Sequence, residues 1–272
     1  MNATTKNYDN QERWNEVYGG EFLEKLRDSP ESFRVIEAEQ PPHKTFVLNQ
    51  LPDVRDKRIL DLGCGQGELS IMLTRLGAEV IGVDLGEKLV ELSKEIARIN
   101  EVECSFRVAN ITDLPFDDES FDFVVGIGIL HHLPVKGLRD AVDEGHRVLK
   151  PGGQAFFLEP IENNKAFDFF QNLIPVGTPG DSQYRPSILQ RSKWKQFVEE
   201  DDDRTLTDEE LRKAGQLFSN VRFLYTQFLV RICRIFPSKT LSRMLEKIDI
   251  LLTGDLSPLR TLSRFACVIY TK

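Results

Sequence analysis

Hydrophobic and polar positions alternate along the chain between short β-branched runs and longer stretches whose apolar residues recur three and four apart. That alternation is the pattern of parallel strands joined by crossover helices. Strands are predicted at Arg58–Leu62, Glu79–Val83, Glu103–Val108, Phe121–Gly126, Gln154–Leu158, Val221–Phe228 and Phe265–Tyr270. Helices are predicted at Glu68–Leu76, Lys88–Asn100, Val135–Leu149 and Asp208–Phe218. Leu114-Pro115 and Lys150-Pro151-Gly152-Gly153 carry turn chemistry between these elements.

Three segments interrupt the alternation. Tyr8 to Pro52 carries Trp14, Tyr18 and Phe22 at helical spacing, with a break at Pro41-Pro42; such a stripe reads either as a lid or as core. Pro160 to Thr207 is aromatic at Phe167, Phe169 and Phe170 with Leu173, then acidic at Glu199 to Asp203. Leu229 to Ser263 includes SKTLSRMLEKIDILL, which sets Leu241, Met244, Leu245, Ile248, Leu251 and Leu252 on one helical face with Lys239, Arg243 and Lys247 around it. The chain therefore divides into an N-terminal helical cap (1–56), a core (57–160), an insertion (161–207) and a C-terminal part of the core (208–272) that carries a basic amphipathic insertion at about 229–263.

Composition places a chain of 272 residues, 40% apolar and 29% charged, among globular proteins. The net charge of -8 argues against a nucleic-acid partner. Its distribution is uneven: Leu211 to Lys272 holds 11 Lys and Arg against 3 Asp and Glu, leaving 24 against 40 for the rest. A +8 tail follows a -16 body, which suits either peripheral contact with an anionic membrane or the wall of a pocket for an apolar acceptor. Cys64, Cys104, Cys233 and Cys267 are scattered without metal-ligand spacing, so neither disulfides nor a metal site is expected. Met1 to Gln11 lacks the character of a targeting peptide, and a cytoplasmic location is expected.

The chemistry concentrates after the first strand. RILDLGCGQGE places Asp61 before glycines at 63, 65 and 67, at the edge where open α/β sheets bind ligands. The GxGxG spacing, with a carboxylate ahead of it that can reach an ammonium, favours a cofactor with an amino-acid end over a pyrophosphate. Asp84 closes EVIGVD, where a carboxylate accepts ribose hydroxyls in nicotinamide and adenosyl cofactors alike.

ILDLGCGQG, the end of VIGVD, RVANITDLPFDDESFDFVV, LHHL and VLKPGG, in that order, resemble the class I S-adenosylmethionine-dependent methyltransferases, in the broad small-molecule subfamily. The resemblance covers Lys57 to Pro160 closely and the last two strands loosely. It implies a Rossmann-like, doubly wound, seven-stranded, mostly parallel sheet with an antiparallel last strand and added helical segments. It implies S-adenosylmethionine as cofactor, with Asp61, Gly63, Cys64, Gly65 and Gly67 at the methionine portion and Asp84 and Leu85 at the ribose and adenine edge. Asn110, where the family more often has Asp, and Ile111 would meet the adenine, and Gly126 and Ile127 would line the methionine channel. The insertion at 161–207 would then cover the substrate.

Methyl transfer from a sulfonium needs alignment first, and a base only when the acceptor must lose a proton. His131 and His132 fall just past the fourth strand, where an imidazole can serve as that base; LHHL equally suits one histidine bonding backbone and the other packing a helix start. Glu159, at the end of the fifth strand, can orient a histidine, bind an acceptor hydroxyl or simply be solvated. The reading is methyl transfer to a small, apolar or amphipathic acceptor, with oxygen favoured by the histidine pair. Its alternatives are a protein or RNA methyltransferase, a non-catalytic cofactor-binding scaffold and a nicotinamide-dependent oxidoreductase.

Overall fold

The computed structural model describes residues 15, 19–36, 42–162, 169, 173, 189, 204–229, 239–253 and 257–272. Trp14, Tyr18, Phe167, Phe170 and the acidic run at Glu199 to Asp203 lie outside the described residues, whereas Phe22 sits on helix α1 (Gly20–Asp28). The strands are β1 (Arg58–Leu62), β2 (Glu79–Asp84), β3 (Ser105–Val108), β4 (Phe121–Ile127), β5 (Leu149–Pro160), β6 (Asn220–Thr226) and β7 (Phe265–Thr271). They form one seven-stranded sheet in the order β3-β2-β1-β4-β5-β7-β6. Between and around them run α2 (Pro42–Gln50), α3 (Glu68–Arg75), α4 (Glu87–Ile99), α5 (Val135–Val148), α6 (Asp208–Ala214) and α7 (Lys239–Leu252).

The inner strands are buried on both faces, which is why they read as continuous apolar runs rather than alternating ones. Ile59, Leu60 and Leu62 of β1 and Val124 and Val125 of β4 have no solvent contact. Parallel pairing sets Asp61 beside Gly82 on one side and Val125 on the other. The same register brings the carboxyl ends of β1, β2 and β4 to one edge of the sheet.

Strand β7 runs against both neighbours. At its end the Lys272 N–H donates to the Gly153 carbonyl and the Gly152 N–H to that of Lys272; at its start the Ile161 N–H donates to the Arg264 carbonyl. On the other side the Ser219 N–H reaches the Thr271 carbonyl, and the Arg264 N–H that of Thr226. The expected antiparallel last strand is present, inserted between β5 and β6.

Two elements differ from expectation. Lys150 to Gly153 lies inside β5, because β5 starts at Leu149 opposite Phe121 with a register irregularity, and its two glycines bond the backbone of Lys272. Helix α6 stops at Ala214 rather than Phe218. Gly215 closes it against the Tyr270 ring, where an added Cβ would lie 2.2 Å from Cε1. Phe218 leaves the helical path to stack on the same ring at 4.9 Å, and the Tyr270 hydroxyl donates to the Leu211 carbonyl. Gly215→Ala is expected to destabilise the protein by about 1–3 kcal/mol through overpacking, read as a lowered denaturant midpoint; an unchanged midpoint would show that Tyr270 can move aside.

Contacts group the chain into two compact units: Met1–Glu159 with Glu209–Arg222 and Cys267–Lys272, and Pro160–Asp208 with Phe223–Ala266. In the first, the Asn100 side chain ties the N-terminal segment to the core. Its Oδ1 accepts from the Val35 N–H and from Arg75, whose guanidinium also donates to the Val35 carbonyl. In the second, buried Asp249 of α7 accepts the N–H groups of Phe228 and Leu229, and Thr253 donates to the Tyr225 carbonyl. These bonds fix the helix to the residues at and just past the end of β6.

Candidate active site

The β1–α3 loop is built from three glycines in the left-handed region, with φ of 65° at Gly63, 52° at Gly65 and 78° at Gly67. Their surroundings differ. A Cβ on Gly63 would meet Ile129 at 2.5 Å and one on Gly67 the Phe106 ring at 2.7 Å, whereas nothing lies within 4 Å at Gly65. Gly63 and Gly67 therefore allow close packing, and Gly65 presents bare backbone to an open space that a ligand can fill. Cys64 is held between them by its N–H to the Val83 carbonyl, and desolvation pushes its thiol well above the ordinary range, which disfavours the thiolate.

Asp61 is buried behind this loop, accepting the Ser70 hydroxyl at 2.6 Å. Burial pushes its carboxyl up to about 7, against the Ser70 hydrogen bond and the charge of Lys44, which lower it. Lys44, on α2, pairs with Glu68 at the start of α3. Burial brings its ammonium down to about 8, opposed by the charge of Asp61. A carboxylate and an ammonium, each strained by burial, thus share one site. Lys44 already pairs with Glu68 and the two charges favour each other, and a zwitterionic amino-acid end, with one charge of each sign, would add a partner for each. The sequence reading missed Lys44, since a lysine on a segment taken as cap offers no spacing signal.

Asp84 is nearly buried at the end of β2, accepting the Gly65 N–H at 3.0 Å on Oδ2 and the Gly86 N–H at 2.9 Å on Oδ1. With the Leu85 backbone as a third donor, the two oxygens still leave an acceptor position for a ribose hydroxyl. Burial raises its pKa, while those backbone bonds and His132 lower it. Leu85 follows it half-buried, and Ile111 is buried. The Asn110 Oδ1 accepts both the N–H and the hydroxyl of Thr112, at 3.0 and 2.9 Å. The side-chain oxygen shapes its own turn, so acceptance of an adenine amino group there competes with that turn. Gly126 faces Phe157 and Ile129, which a Cβ would meet at 2.9 and 3.0 Å, and is packed rather than open; Ile127 beside it is half-buried.

His131 and Glu159 come together. Glu159 has no solvent exposure, and its Oε2 lies 2.8 Å from His131 Nδ1. Its remaining acceptor positions take the backbone N–H groups of Ile129, Leu130 and His131 at 3.0, 2.9 and 3.2 Å. Four hydrogen bonds fill both oxygens, so the carboxylate is neither solvated nor open to an acceptor hydroxyl. It fixes the short 3-10 turn Leu130–His132 and the orientation of one imidazole. The His132 ring lies against that of His131, centroids 4.0 Å apart, and its charge favours the ionised form of Asp84. His146 packs edge-on against Phe218, away from these groups; the His43 side chain lies outside the described residues.

A family model described as a methyltransferase domain matches residues 59–153. The ubiquinone biosynthesis O-methyltransferase of Coxiella burnetii (strain RSA 331 / Henzerling II) is 31% identical over 156 residues, 54% of this chain and 66% of that protein. The chain thus spans just under two thirds of that relative's length. The protein of the same name from Pseudomonas syringae pv. tomato is 31% identical over 157 residues, 54% of this chain and 67% of that one. Geranyl diphosphate C-methyltransferase from Streptomyces coelicolor, solved with Mg2+, geranyl diphosphate and S-adenosyl-L-homocysteine, superposes with a TM-score of 0.53 at 17% identity. That alignment covers 93% of this chain and 82% of that one, a likeness of fold.

Proposed function

Because the chain belongs to the class I S-adenosylmethionine-dependent methyltransferases and S-adenosylmethionine is its cofactor, we propose that it transfers the methyl group to an oxygen of a small, apolar or amphipathic acceptor. The observation that carries this reading is the buried His131–Glu159 pair beyond the end of β4. A histidine whose Nδ1 is engaged by a fixed carboxylate has its tautomer and orientation set, as a base that takes a hydroxyl proton requires. The name of the relatives, ubiquinone biosynthesis O-methyltransferase, supports oxygen as the nucleophile.

In this reading Asp61 accepts the cofactor's ammonium and Lys44 faces its carboxylate, with the Gly63 to Gly67 loop closing over the chain between them. Asp84 takes the ribose hydroxyls, with Leu85, Asn110 and Ile111 at the adenine. When bound, the cofactor supplies a methyl group already activated by its sulfonium. The protein aligns the acceptor, an effect of about 7–11 kcal/mol in well-oriented systems. His131 Nε2 receives the hydroxyl proton, worth about 10² to 10⁴ in rate. Glu159 stabilises the imidazolium that results, and His132 walls the space between His131 and Asp84.

Incubating the purified chain with methyl-labelled cofactor and metabolite extracts, followed by mass spectrometry, is expected to reveal an acceptor labelled on oxygen. Label on nitrogen or carbon would overturn the choice of nucleophile. Cofactor binding by calorimetry with no labelled product from any extract would overturn transfer itself.

A further inference from the structure

Helix α7 turns an unusual side inward. Its buried positions include Leu245 and the carboxylate of Asp249, the latter committed to the backbone of Phe228 and Leu229. Its outward stripe is apolar: Met244 and Leu251, at i and i+7, are 52% and 83% exposed, and Leu252 beside them 39%. Exposed Lys247, at i+3, lies between the two on the same stripe. One exposed leucine would need no explanation, but aligned apolar residues with a cation among them form a directed surface.

The charge of the sequence segment that contains this helix, with Lys247 exposed on its apolar stripe, narrows what can cover it. The segment from Leu211 to Lys272 carries 11 basic residues against 3 acidic, and one of those three is the buried Asp249. A second copy would set one basic segment against another. A soluble acidic partner would answer Lys247 and would need a matching apolar patch of its own to cover Leu251. An anionic bilayer answers both, since headgroup phosphates meet the cations while the apolar side chains enter the acyl boundary. A helix of 14 residues is too short to cross, and no described helix is long and apolar enough to do so.

We propose that the Met244–Lys247–Leu251 face of α7 docks on anionic lipid headgroups, lying in the plane of the membrane surface. The docking is independent of the methyl-transfer reading.

The test is co-sedimentation of the full chain with vesicles of phosphatidylcholine and phosphatidylglycerol in equal parts, and with phosphatidylcholine alone. Binding is expected on the anionic vesicles, at least tenfold weaker on the neutral ones, and reduced by high salt. The double substitution Met244→Ser with Leu251→Ser should weaken it about tenfold. Lys247→Glu should weaken it by at least about fivefold, the contribution of one basic residue near such a surface. These side chains are exposed, so thermal melting and cofactor affinity should be unchanged. Equal binding to neutral vesicles, or full binding by the variants, would overturn the proposal. So would variants that convert an oligomer to a monomer while sedimenting with lipid as before, because the face would then belong to a second copy. Extract labelling is read separately, so failure of either reading leaves the other standing.

Discussion

Glu159→Gln is expected to lower turnover by about 10² to 10⁴ and folding stability by about 1–3 kcal/mol, while leaving cofactor affinity near that of the unsubstituted protein. The native carboxylate accepts four hydrogen bonds without solvent contact. An amide can keep those on one oxygen, but its NH2 group then faces N–H donors, and at least one buried donor loses its partner. The same change removes the negative charge that stabilises an imidazolium and leaves the His131 tautomer unfixed. His131→Gln should match the loss of turnover with a smaller loss of stability, because the three backbone bonds to Glu159 survive. The double substitution should cost no more turnover than the worse single one, as expected when two residues act as a unit. Steady-state kinetics beside chemical denaturation would separate these effects. Full turnover in both single variants would leave the pair as architecture for the turn.

How much of this was legible in the sequence depended on how local each signal was. The strands β1, β2 and β4 could be read directly, because burial on both faces yields apolar runs that no solvated element would carry. The glycine loop was legible for a similar reason: three left-handed positions within five residues leave little choice but glycine. Glu159 was only half legible. A carboxylate at a strand end reads alike whether it turns outward or inward, and the histidine that decides the matter is 28 residues away. Lys44 was hidden altogether, since its partner Glu68 lies 24 residues further on, across a helix, a loop and a strand. Asn110 shows another limit: its residue type suits an adenine, but Asn also bonds its own backbone two residues on, and only the fold shows that here it does. Residues that act through distant partners need the fold before they acquire a role.

Lys44 and Asp61 lead to the second large effect, on cofactor affinity and its pH dependence. The Asp61 carboxyl is held up to about 7, against 3.8 for an ordinary Asp. Its contribution to the stability of the free protein is therefore fully present below about pH 4 and is lost as pH rises through about 7. Lys44 is brought down to about 8 from 10.5, so its contribution is present above that range and lost as pH falls through about 8. Between about pH 7 and 8 both groups are mostly charged in a site whose burial disfavours charge, which is where a zwitterionic partner gains most. Affinity for S-adenosylmethionine, measured by calorimetry, is expected to fall about tenfold per unit as pH drops below about 7, since Asp61 must then shed a proton to receive the ammonium. Asp61→Asn should weaken binding at pH 8 by at least about 10² and flatten the acid limb, because the amide cannot ionise. The same substitution should raise the melting temperature of the free protein at pH 8 and not at pH 5, where the native carboxyl is already neutral. Opposite movements of affinity and stability in one variant would mean that burying this carboxylate serves binding at the expense of the fold. If Asp61→Asn instead lowers the melting temperature at pH 8 with affinity intact, the Ser70 hydrogen bond is the purpose of Asp61 and the ammonium is held elsewhere.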